Sequence, residues 1–218
     1  LSEGDALSGG TGFWRYIVLV PTATFAVFVF GAVETGGFAL FPVYGLSNGL
    51  DEPAIATALA VLIVGNILFQ VPIGTLADRW GTGRMMALLC LLTIAGAALL
   101  PLLITQPVAL WAMLFVWGSA AYGIYTIALM ELGRRFTGAM LISGNAGFAV
   151  MWGVGGFAGP MASGMAIDIA GPHGLPLLLG AAYVVLLVVT LLRRAPARAG
   201  AACGNPPLPA PCPPLPPP

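Results

Sequence analysis

Residues 54–104 read, in order, AIATALAVLIVGNILFQVPIGTLA, DRWGTGR and MMALLCLLTIAGAALLPLLI. The first block (54–77) and the third (85–104) contain no Asp, Glu, Lys or Arg, while the short middle block (78–84) holds one acid and two arginines. At about 1.5 Å of rise per residue, roughly 20 apolar residues cross the ~30 Å hydrocarbon core of a bilayer. Two such blocks joined by so short a polar loop read as antiparallel transmembrane helices.

The rest of the chain repeats this pattern. Apolar spans are expected at 16–40, 54–77, 85–104, 108–130, 139–167 and 175–192. Between them lie loops marked by Pro42, Gly45, Asn48-Gly49 and Asp51-Glu52-Pro53, by 78–84, by Gln106-Pro107, by 133–138 and by 168–174. The fold class is therefore all-α, a membrane protein of six transmembrane helices. Of its 218 residues 59% are hydrophobic and only 7% charged. A soluble domain carries about 25% charged residues, so this surface is built for lipid. Residues 1–14 read as a cytoplasmic linker or truncated start, and 15–194 as the transmembrane domain. Residues 195–218 read as a disordered, proline-rich tail.

The charges fix an orientation. All eight basic residues are arginine. With six spans, Arg15, Arg79, Arg84, Arg134, Arg135, Arg193, Arg194 and Arg198 all fall on one side, and Asp51, Glu52, Asp168 and His173 on the other. Positively charged loops stay cytoplasmic, so both termini are expected in the cytoplasm. A missed or added span would scatter the arginines, so the asymmetry also supports the count of six. The chain is expected in a bacterial inner membrane.

Within the loop between the second and third spans, Asp78 ends one helix and Arg84 begins the next, each at the pole its own charge disfavours. Asp78 is therefore expected to pair with an arginine or a neighbouring helix. Gly81 and Gly83 allow a tight reversal, and Gly74 leaves room for a close helix crossing. The stretch from Gly74 to Arg84 resembles the cytoplasmic-loop signature of the major facilitator superfamily, G-x-L-a-D-r-x-G-r-k. Gly74, Leu76, Asp78, Arg79 and Gly81 match it. Thr82 and Gly83 stand where the family has a basic pair, and only Arg84 follows. Phe41-Pro42-Val43-Tyr44-Gly45-Leu46 and Gly159-Pro160 are similar to the family's sugar- and drug-type permeases. The resemblance covers all six spans and matches the C-terminal six-helix half of a twelve-span protein.

That resemblance implies secondary transport of a small solute by alternating access, without a cofactor. It implies that Asp78 and Arg79 belong to a cytoplasmic latch, with Glu131 and Arg134 as partners at the end of the fourth span. It also implies a missing N-terminal half or a second copy of this one as partner, with the lipid bilayer as surroundings. The chain then reads as a fragment or as a half-size transporter acting as a dimer.

Polar groups inside the spans are the remaining candidates. Glu34 is the one acid well inside a span, and its distance from Tyr16 places it in the outer part of the membrane. It is a candidate proton or substrate site; the alternative is a carboxyl that reaches interfacial water or a neighbouring helix. Asn66, Gln70, Tyr122, Tyr125 and Asn145 are candidates for the cavity lining or for interhelical hydrogen bonds. Gly155, Gly159 and Pro160 form a GxxxG pair with an adjoining proline, either a deformable hinge or a static close contact.

Other function classes find little here. With Glu34 unaccompanied by a second acid at depth and His173 in a loop, no catalytic constellation is present, and no metal-ligand spacing appears. The chain lacks a nucleotide-binding glycine loop, and its net charge of +0 gives no attraction to nucleic acid. A non-transporting membrane sensor or scaffold is the alternative outside transport.

Overall fold

The computed structural model describes residues 21–201, and every regular element among them is α-helical. The helices are α1 (Pro21–Ser47), α2 (Glu52–Trp80), α3 (Thr82–Leu103), α4 (Pro107–Arg135), α5 (Gly138–Ala170) and α6 (Gly174–Ala201). Each contains a segment long and apolar enough to cross a membrane. The expected linker (1–14) and most of the expected tail lie outside the described residues. Seven residues of that tail (195–201) continue α6 as helix; four of the seven are Ala, the strongest helix former.

The helices overrun the boundaries expected from the sequence because the loops shrink to caps. Asp51 starts α2 by accepting a 3.1 Å hydrogen bond from the Ala54 amide, with Pro53 in the first turn. Between α2 and α3 only Gly81 is non-helical. Its φ is +87° and its N–H donates to the Ala77 carbonyl at 2.9 Å, so one residue closes one helix and opens the next. Gly83, expected to share that reversal, lies in α3 with no positive φ. Pro42, expected in a loop, sits inside α1, where a proline removes only one ladder bond and Phe41 and Tyr44 stay buried.

The packing follows an internal two-fold pattern. α1 lies along α5, α2 lies along α4, and α3 packs on α6. Exchanging the first three helices with the last three turns the α1–α5 contact into the α4–α2 contact. The close approaches obey the same exchange. A Cβ on Gly31 of α1 would strike the Trp152 carbonyl of α5, and one on Gly155 would strike the Phe28 carbonyl of α1. A Cβ on Gly118 of α4 would strike the Leu62 carbonyl of α2, and one on Gly65 would strike the Phe115 carbonyl of α4. In all four helices the struck carbonyl lies three positions before that helix's own glycine. Such repeats underlie many transporter folds. A hydroxyl seals each crossing: Thr35 donates to the Gly156 carbonyl (3.0 Å) and Ser119 to the Gly65 carbonyl (2.9 Å).

α1 and α4 form the centre, with 44% and 56% of their apolar windows buried; α2 and α5, at 17% and 22%, form the open flanks. Cys90 is buried in the core as a small hydrophobe. Gly74, expected at a close crossing, faces open space in this chain, because α2 meets α4 at Gly65 instead. Overpacking a tight contact costs about 1–3 kcal/mol. Gly118→Ala and Gly155→Ala should each destabilise the fold by that amount in a detergent unfolding assay. Gly153→Ala and Gly164→Ala, whose added Cβ meets nothing, should be neutral or slightly stabilising. Equal effects at all four positions would contradict the crossing geometry.

Candidate functional site

The crossing of α1 and α5 places a carboxyl at mid-helix. Glu34 lies on α1, which continues beyond it through Pro42 to Ser47. The backbone approach at Gly31 brings Trp152 alongside, and Trp152 Nε1 donates a 2.8 Å hydrogen bond to Glu34 Oε2. Tyr122 of α4 comes to the same place, its ring set between Phe30 and Phe38 of α1. Tyr183 of α6 is completely buried, and its hydroxyl has no partner among the described residues.

Trp152, Tyr122 and Tyr183 each sit near the middle of their own span. Glu34 therefore lies near mid-depth, not in the outer part of the membrane as expected. The sequence estimate went astray because α1 continues through Pro42 to Ser47, which moves its centre outward along the chain. A carboxyl at that depth is costly, and it needs the Trp152 donor it has found.

Aromatic rings frame this carboxyl. Phe30 and Phe38 stand one turn before and after Glu34 on the same face of α1. Phe30 meets the Tyr122 ring edge-on at 5.3 Å and stacks on Tyr125 at 5.2 Å. Phe38 meets Tyr122 edge-on at 6.4 Å. Trp152 is half-exposed, so the site opens to one side of the bundle. Among the described residues Glu34 enters no ion pair, and the nearest cations are at the helix ends.

The structure thus brings together Glu34, Tyr122 and Tyr125 from the candidates chosen by sequence. It does not bring the others to them. Gln70 Nε2 donates to Asn66 Oδ1 (3.0 Å) on the exposed flank of α2, and Asn145 is exposed two turns before Trp152 on α5. Phe30, Phe38 and Trp152 were missed. The four-residue spacing around Glu34 was a legible signal for the first two. A tryptophan in mid-span, away from the interface where this residue concentrates, was the signal for the third.

A second cluster lies at the arginine end. Arg134 Nη2 and Asp78 Oδ1 form a 2.8 Å ion pair between α4 and the end of α2. Glu131 accepts from the Thr82 hydroxyl at 2.7 Å and pairs with Arg135 one turn on at 2.6 Å. Thr82, which stands where the family signature has a basic residue, therefore ties α3 to α4 through a hydroxyl-to-carboxylate hydrogen bond instead of an ion pair. Arg79 and Arg84 are exposed at the same end and enter no ion pair among the described residues. At the opposite end Tyr44 packs edge-on against His173 at 6.0 Å, joining the end of α1 to the α5–α6 connection.

Gly155 and Gly159 lie in the α1–α5 crossing, where a Cβ on Gly159 would strike the Ala32 carbonyl. Pro160 interrupts the ladder of α5 and leaves the Gly156 carbonyl without its helical donor; the Thr35 hydroxyl donates to that carbonyl. The described residues hold no group of three or more potential metal ligands.

Comparison with known proteins gives the same assignment as the geometry. Over 152 residues the chain is 28% identical to the uncharacterized MFS-type transporter YfkF of Bacillus subtilis (strain 168), covering 70% of this chain and 39% of that protein. It is 27% identical over 165 residues to the uncharacterized MFS-type transporter YcaD of Salmonella arizonae, covering 76% of this chain and 42% of that protein. The chain thus spans about two fifths of the length of these relatives. The family model of the Major Facilitator Superfamily matches residues 23–215. With six membrane-crossing helices, two matched glycine crossings and the loop signature at Asp78, this integral, multi-pass membrane chain belongs to the Major Facilitator Superfamily.

Proposed function

We propose that the chain is one six-helix half, the C-terminal one, of a secondary transporter that moves a small solute by alternating access. It works beside an N-terminal half or a second copy of itself, and it carries no enzymatic activity. The observation that carries this is the convergence of α1, α4 and α5 on Glu34 at mid-depth, on a side this bundle leaves open. Transporters of this construction bind their cargo at that depth, between repeats.

The flanks support a facing partner. Asn66 and Gln70 on α2 and Trp152 on α5 expose polar groups in the middle of apolar helices. Polar groups in mid-bilayer turn toward a bundle interior or an aqueous cavity, not toward lipid. The arginine end faces the cytoplasm. There the Asp78–Arg134 pair acts as a clasp that holds the α2–α3 connection against α4, and Gly159-Pro160 acts as the hinge of α5.

Glu34 serves as the coupled proton site or the substrate carboxylate. Transport by the intact protein in proteoliposomes should lose its pH dependence in Glu34→Gln; an unaltered pH profile would remove proton coupling from this residue. The clasp is a modest device, since its partners are 44% and 63% exposed and exposed pairs are worth about 1 kcal/mol or less. Asp78→Asn should therefore move the balance between inward- and outward-open states by no more than about fivefold. Labelling of a cysteine placed at Met130, in a background without other cysteines, reads the shift. The exchange Asp78→Arg with Arg134→Asp should restore it. Labelling rates that ignore Asp78→Asn would dispose of the clasp.

A further inference from the structure

The ion pairs at the arginine end leave cations over. Asp78 takes Arg134 and Glu131 takes Arg135, and these are the carboxylates of that end among the described residues. Arg79, Arg84 and Arg193 are exposed, and none of them enters an ion pair among the described residues.

The fold gathers these three at one edge. The one-residue reversal at Gly81 sets Arg79 and Trp80, the last residues of α2, beside Arg84 in the first turn of α3. As the third and sixth of six spans, α3 and α6 run antiparallel, and a Cβ on Gly180 of α6 would touch Ala97 of α3 at 3.4 Å. Equal lengths of helix lead from that contact to Arg84 on α3 (84–97) and to Arg193 on α6 (180–193). The two arginines therefore stand at the same level, on packed helices whose axes lie about 8–10 Å apart.

The surface below them is apolar. Leu91 and Leu92 on α3, with Val185, Val188 and Leu192 on α6, are exposed along the same pair of helices. Trp80 is 50% exposed, as suits an indole at the boundary between acyl chains and headgroups. Exposed aliphatic side chains that end in arginines and a tryptophan match the two parts of one lipid molecule. The acyl chains lie along the helix pair, and guanidinium grips the phosphodiester through paired hydrogen bonds. A free phosphate has no use for the apolar surface, and a choline headgroup brings a cation of its own. We propose that Arg84 and Arg193, with Arg79 and Trp80 beside them, bind the headgroup of an anionic phospholipid. This goes beyond the transport reading and does not depend on it.

The test titrates the intact protein in a neutral detergent with dioleoyl phosphatidylglycerol or dioleoyl phosphatidylcholine, and native mass spectrometry counts the lipids retained. Phosphatidylglycerol should bind at least about tenfold more tightly than phosphatidylcholine. A basic residue near an anionic headgroup is worth about fivefold in affinity, so Arg84→Gln and Arg193→Gln should each weaken phosphatidylglycerol by that factor and leave phosphatidylcholine unchanged. Gln106→Glu lowers the net charge by the same unit in an exposed loop at the opposite end, and should change nothing beyond about twofold. Phosphatidylglycerol binding indifferent to both arginine changes would overturn the proposal. An equal loss in Gln106→Glu would do so too, because it would trace the preference to net charge and not to a site. Displacement of the lipid by millimolar glycerol phosphate would replace the lipid with a soluble phosphate. Should the glutamine variants fail to stay monodisperse, the wild-type salt dependence carries the test. Raising salt should weaken phosphatidylglycerol alone, and a salt-independent preference would rule the arginines out.

Discussion

Helices in lipid gain little from hiding apolar side chains from one another, because the solvent is as apolar as they are. What holds this bundle in register is backbone proximity, a glycine of one helix against a carbonyl of another: Gly31, Gly155 and Gly159 between α1 and α5, and Gly65 and Gly118 between α2 and α4. The same approach builds the site. Gly31 makes room for the Trp152 carbonyl, and three residues on, Glu34 takes the Trp152 indole hydrogen. A bulkier residue at Gly31 would push the indole from the carboxyl as surely as it would part the helices.

The two electrostatic clusters differ in weight because they differ in surroundings. Asp78 and Arg134 meet at a helix end where water competes for both, so their pair adds little to the stability of the fold. Glu34 sits at mid-helix with the Trp152 indole as donor and no ion-pair partner among the described residues. There each hydrogen bond replaces a solvation that lipid cannot provide, and the balance of charge must be completed by a proton, a ligand or a facing partner.

Much of the fold was legible in the sequence because lipid imposes blunt rules. Six apolar blocks, five of them free of charge and the first holding only Glu34, gave six helices, and the one-sided arginines agree with the way Arg134 and Asp78 meet at one end while Tyr44 and His173 meet at the other. Helix ends were less legible. Pro42 looks like a stop signal, yet a proline inside an apolar helix loses a single bond, and its neighbours remain buried. That error displaced Glu34 from the centre of the membrane. The site was half legible: an isolated carboxyl announces itself, and the Tyr122 and Tyr125 hydroxyls are conspicuous in an apolar helix. Trp152 was hidden because its pairing with Glu34 depends on which glycines meet which carbonyls. Seven glycines in the fifth span offered several faces, and Gly153 and Gly164 turn out to touch nothing.

The remaining link runs from site to helix bend. Thr35 follows Glu34 directly, and its hydroxyl lies 2.7 Å from the Gly31 carbonyl and 3.0 Å from that of Gly156. The Gly156 carbonyl is the one that Pro160 leaves unpaired, so α1 supplies the hydrogen bond that α5 cannot supply to itself. One turn of α1 therefore touches α5 through Glu34 at Trp152 and through Thr35 at Gly156. A rotation of α1 large enough to free the carboxyl would also withdraw the hydroxyl from the proline break. The charge state of the site and the straightness of α5 are joined by two adjacent residues, with no longer chain of contacts needed between them.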